Sequence, residues 1–177
     1  MTMAPKRPRR ATPTVTRAGG KAAAAAGERV EKRGPPTNGI GFSVTLPMDH
    51  EHAIARLADG LKAEGFGILT RTDVQATFRE KLGLAFRPYW LIGVCNPALA
   101  HRALAADPEA GLLLPCGVTV EEVDEGHTLV RVADPMRMLP GGRLRRRPDL
   151  VKVAHEAGAA LERVVHGLAA HARAVIL

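Results

Sequence analysis

What this chain of 177 residues has least of is aromatic side chains and cysteine: one Trp, one Tyr, four Phe and two Cys. With so few large rings, Ala, Leu and Val must fill the interior. Two cysteines are too few for the disulfide framework of a small secreted protein, so a reducing, cytoplasmic setting is expected. No stretch approaches the roughly 18 consecutive apolar residues of a membrane span. No signal peptide is visible, because the alanine run at 22–26 is too short for an apolar h-region and has charge on both sides. There is no Gly-x-Ser-x-Gly elbow, no phosphate-cradling glycine loop and no paired-carboxylate motif, which removes the commonest hydrolase and nucleotide signatures.

Charge is present but unevenly placed. The formal charge is +7, and residues 1–39 hold nine of the 25 Lys/Arg against two of the 18 Asp/Glu. The other 138 residues carry 16 of each sign and sum to zero, so the basic character belongs to the tail. That tail is rich in Pro, Gly, Ala and Arg and has too little apolar surface to offset its ordering entropy. It is expected to be a disordered basic segment, followed by a single domain over 40–177. "KRPRR" in the tail is the kind of patch that contacts phosphate, so nucleic acid is an expected partner only through residues 1–39.

The pattern of the body predicts nine elements. "GFSVTL" alternates apolar residues as a half-buried strand does. Asp49 caps a helix with Ile54, Leu57 and Leu61 on one face, and Gly65 ends it. "FGILTRT" is a second strand, and Asp73 and Gly83 bracket a second helix. "FRPYWLIGVCN" is the most apolar strand and is placed at the centre of the sheet. Asn96 and Pro97 start a third helix at N-cap and N1, and Asp107-Pro108 breaks it. "GLLLPCGVTVEEV" is a fourth strand bent at Pro115, and "HTLVRVADP" a fifth that forms a hairpin with it. "GGRLRRRP" is a loop. Pro148 opens a long final helix with Leu150, Val153, Ala157, Leu161, Val164 and Leu168 in one stripe. The order β-α-β-α-β-α-β-β-α argues for an α+β two-layer sandwich, a mixed, mostly antiparallel sheet with helices packed on one face.

From about Gly41 to Leu168 the chain resembles the bacterial domain-of-unknown-function family 302. The stretches "EGFGILTRTDVQATFREKLG" and "YWLIGVCNPALAHRALAADPEAGLLLPCGVTV" carry the resemblance, with "CNP.LA" followed by "LPC" its specific part. The resemblance implies a compact α+β fold, often a homodimer. It implies no activity and no cofactor.

The two cysteines are the sharpest feature. Cys95 directly precedes the N-cap Asn96, where a helix dipole favours thiolate and a lowered pKa. Cys116 follows Leu112, Leu113 and Leu114, and burial there raises its pKa. With Asn96 and His101 they form a candidate binding site, against the plain alternative of two buried small hydrophobes. The two Cys are not spaced as Cys-x-x-Cys and so form no zinc pattern of the Cys-x-x-Cys…His-x₃₋₅-His kind, and His50 and His52 splay apart on a helix, so no metal is expected. "EEVDE" at 121–125 reads as a solvated hairpin turn. Arg143, Arg145, Arg146 and Arg147 stand before the last helix, as an exposed loop or as an anion site at the helix start. The preferred reading is a small-molecule or protein-binding module. The alternatives are a thiol-dependent redox or sulfur-handling protein using Cys95, and nucleic-acid association through the tail.

Overall fold

Alternating side chains decide which face of the sheet is covered. In β1 (Gly41–Leu46), β3 (Tyr89–Cys95), β4 (Cys116–Asp124) and β5 (His127–Ala133), every second residue points to one side. On that side Val44, Leu46, Ile92, Val94, Val118, Val120, Val130 and Val132 are buried. With β2 (Gly67–Asp73) these strands form one sheet in the order β1-β5-β4-β3-β2, and every pairing is antiparallel. The computed structural model describes residues 39–139 and 141–174; residues 1–38 of the basic tail lie outside them.

Two helices close the apolar face. In α1 (His50–Ala63), Ala53, Ile54, Leu57 and Leu61 are buried. In α5 (Pro148–Ala174) all six residues of the stripe, Leu150 through Leu168, are buried. Each such Leu or Val removes apolar area from water at about 1.5–3 kcal/mol. The caps sit where the sequence puts them. Asp49 accepts from His52 N at 2.9 Å, Asp73 starts α2 (Val74–Leu82) by accepting from Ala76 N at 2.9 Å, and Gly83 ends it at φ 66°. Asn96 starts α3 (Pro97–Ala106) by accepting from Leu99 N at 3.1 Å.

A second, smaller apolar cluster joins α3 to the start of α5: Ala103, Ala110, Leu139, Leu144, Leu150 and Val153 meet there with Ala154. A 3₁₀ turn (Pro108–Leu113), the short α4 (Pro135–Met138) and a 3₁₀ turn (Leu144–Arg146) supply the rest of its walls.

Four expectations change. The sheet has no parallel pair among the described residues, so it is not mixed. β3 is interior but not central; β4 holds the centre, because the β4–β5 hairpin and β1 occupy its far side. The fourth strand starts at Cys116 and not at Gly111, because Asp107 accepts from Glu109 N at 3.0 Å and starts a 3₁₀ turn. Leucines at 112–114 mimic a strand, yet Leu112 is 83% exposed while Ala110 is buried. Finally, the Arg-rich loop contains a turn anchored by buried Leu144.

Candidate functional site

The end of the sheet that carries both cysteines is split. β4 pairs with β3 from its first residue, Cys116 opposite Val94 and Gly117 opposite Gly93. Its pairing with β5 begins only at Val118 opposite Val132. The last residue of β5, Ala133, instead continues its ladder with Gly41 of β1. A cleft of about 950 Å³ occupies this end, with walls from both faces of the sheet. That size lies in the range of small-molecule sites.

Its apolar part lies beneath the helices. From α3 come Leu99, Ala100 and Ala103, one face at helical spacing behind Asn96. Opposite them stand Leu150, Val153 and Ala157 of α5. Small residues on both helices leave room where leucines would close it. Cys95 and Cys116 border this part, and both are free thiols. Pro115, after a cis peptide bond, lies over Gly93, where an added Cβ would stand 2.6 Å from the proline Cγ and 2.5 Å from Thr70 Oγ1.

Neither sulfur is activated. Burial raises the pKa of Cys95, in the opposite direction to the lowering expected from its place before α3. Burial pushes Cys116 up to about 11, and the nearby Cys95 adds to this. Both are therefore protonated thiols at neutral pH, poor nucleophiles and poor metal ligands in that state.

The polar part lies on the open face. Glu121 is only 6% exposed although its strand neighbours on that face are partly in water. Its Oε2 accepts from Arg131 Nη1, and its Oε1 forms an ion pair with Arg87, whose Nε lies 2.8 Å away. Thr119 stands directly opposite Arg131, and its buried Oγ1 has no hydrogen-bond partner among the described residues. All four residues line the cleft, as does Tyr89. Reading 121–125 as a solvated turn therefore fails at Glu121: β4 continues to Asp124, and the turn is Glu125-Gly126. The signal was available in the alternation of Val118 and Val120 with Thr119 and Glu121, but the partner arginines come from elsewhere in the chain.

The remaining candidates are dispersed. Asn96 borders the cleft, but its side chain is used as a cap and as a donor to Glu64 O at 3.4 Å. His101 is exposed and off the helix face that lines the cleft. Arg143 pairs with buried Asp107 at 2.5 Å and with Glu109. Arg147 donates to Ala106 O at 2.7 Å, and Arg145 to Leu139 O at 3.3 Å. Three of the four guanidiniums thus stitch the second apolar cluster together, and only Arg146 has no such bond described. His50 pairs with Glu122 at 2.8 Å and His52 with its own cap Asp49 at 2.6 Å, so the two rings serve separate carboxylates.

Comparison with known proteins agrees with this architecture. The family described as "Domain of unknown function DUF302" matches residues 42–168. Among solved structures, the crystal structure of an uncharacterized conserved DUF302 protein from Bacillus stearothermophilus is similar, with a TM-score of 0.64 and 29% identity. The similarity covers 72% of this chain and 96% of that one. No curated protein matches the chain. The matched span takes in the five strands save Gly41 and most of α5, and the chain belongs to the DUF302 family.

Proposed function

We propose that the chain is a small-molecule-binding module whose site is the cleft at the split end of the sheet. The observation that supports this is the cleft itself: about 950 Å³, apolar beneath α3 and α5, with a few polar groups gathered at its other end. Mostly apolar walls with few placed polar groups are the usual make-up of ligand sites. The protonated state of both thiols counts against the thiol-enzyme reading, since the nucleophile is the thiolate. Nucleic-acid association rests on residues 1–39, and deleting them while following the salt dependence of DNA binding tests it separately. Two copies are expected to associate, as the resemblance implies, and a dimer mass by light scattering at micromolar concentration checks this.

The test of the site uses a neutral solvatochromic dye such as Nile red. Saturable binding to the wild-type protein is expected, and Ala100→Trp, which projects a ring from α3 into the cleft, is expected to remove most of it while leaving the melting temperature close to wild type. No saturable binding, or binding that Ala100→Trp leaves intact, overturns the proposal. Native mass spectrometry of freshly purified protein then gives the mass of any occupant.

A further inference from the structure

The open-face end of the cleft is more particular than a generic polar rim. Glu121 sets both carboxylate oxygens against guanidiniums, yet it accepts a hydrogen bond from only one nitrogen, Nη1 of Arg131, and holds Arg87 as an ion pair. A guanidinium carries five N–H donors, so most of the donors of both remain. No other hydrogen bond from these terminal groups is described, and the side chains are 47% and 45% exposed. Two cations around one anion leave a single net positive charge. Beside them, Thr119 Oγ1 is buried without a hydrogen-bond partner among the described residues, a costly state that a group in the cleft would relieve. Along β4, Cys116 and Glu121 are five residues apart, about 16 Å at strand rise. One cleft therefore joins a long apolar gallery to a monocationic, donor-rich end.

We propose that this cleft takes an amphipathic carboxylate, an aliphatic chain lying between α3 and α5 with its carboxylate held by Arg87 and Arg131 on the open face. This rests on the reading of the cleft as a small-molecule site. A carboxylate suits the end better than a phosphate: it is a monoanion, matching the net charge, and its planar pair of oxygens fits a guanidinium fork. Glu121 tempers the charge of the two guanidiniums and competes with the head group for them, and Thr119 gives its hydroxyl to the head group.

The experiment displaces Nile red from the full chain with dodecanoate, dodecanol and dodecyl phosphate. Dodecanoate is expected to compete about tenfold better than dodecanol, the difference that charge-assisted hydrogen bonds supply. Glu121→Gln keeps the shape and frees both arginines, so it should strengthen dodecanoate binding severalfold and leave dodecanol unchanged. Arg87→Gln should weaken dodecanoate selectively, and melting curves establish that each variant is folded. If the dye does not bind, the cleft reading itself fails. If the dye binds but dodecanoate and dodecanol compete equally, or Glu121→Gln leaves the carboxylate affinity unchanged, the cleft reading survives and the carboxylate assignment is overturned. Stronger competition by dodecyl phosphate than by dodecanoate also overturns it.

Discussion

At the scale of single residues, the two cysteines have ordinary neighbours and altered chemistry. Pro97 is the first residue of α3, and Pro115 precedes β4 with its ring over Gly93. Thiol reactivity follows the thiolate fraction, so alkylation of the native protein at pH 8 should be slow at both sites. Cys116, at about 11, should lag a free thiol by on the order of a hundredfold, and Cys95 should label faster than Cys116. Labelling rates against pH check this; a midpoint for Cys95 below that of a free thiol would contradict it. Gly93 is a second residue-scale test. Its missing Cβ makes space for Pro115 and Thr70, so Gly93→Ala should cost about 1–3 kcal/mol through overpacking. Gly117, opposite it on β4, has nothing within 4 Å of an added Cβ, and Gly117→Ala should change stability by less than about 0.5 kcal/mol. Urea denaturation of the pair gives the contrast.

At the scale of elements, the junction between α3 and β4 depends on Asp107. It accepts from Glu109 N at the start of the 3₁₀ turn and meets Arg143, while Arg147 lies 3.8 Å away. The Glu109 N–H and these guanidiniums hold its carboxyl below the usual carboxylate range. A carboxyl whose folded pKa is depressed contributes stability that is fully present above its unfolded pKa of about 3.9 and is lost as pH falls through the folded value. Melting temperatures of the wild type and Asp107→Asn should therefore differ most near neutral pH and converge below about pH 4. A gap that stays constant into acid would show that the carboxylate charge is not what the junction uses. Helix α3 offers a simpler case: Asn96→Ala removes its cap and should cost about 1 kcal/mol.

At the scale of the whole molecule, apolar stripes and alternation were enough to place the five strands and the four longer helices, but not α4 or the two 3₁₀ turns. The neutral balance of residues 40–177 against the basic first 39 remains a statement about sequence, and it leads to one expectation: a 40–177 fragment should unfold within about 0.5 kcal/mol of the full-length chain. A larger loss in chemical denaturation would mean that the tail makes native contacts.

Local chemistry was legible because it depends on neighbours a few residues away. Asp49, Asp73, Asn96, Gly65 and Gly83 act at helix ends through bonds spanning three or four residues, and the stripe of α5 follows from 3.6 residues per turn. The sequence by itself therefore determined the order of the five strands and the four longer helices, the α+β class and the placement of Cys95 at a strand end. Tertiary structure decided the rest. Only the register of β4 against β5 opens the end of the sheet. The cleft draws its walls from α3, α5 and four strands, and Glu121 meets Arg87 from 34 positions upstream and Arg131 across the hairpin. No local pattern encodes such meetings. The same holds for Arg143 and Arg147, whose partners at 106–109 lie far from them in sequence. For Cys95 the sequence supplies the helix terminus, but burial by distant residues supplies the desolvation that raises its pKa.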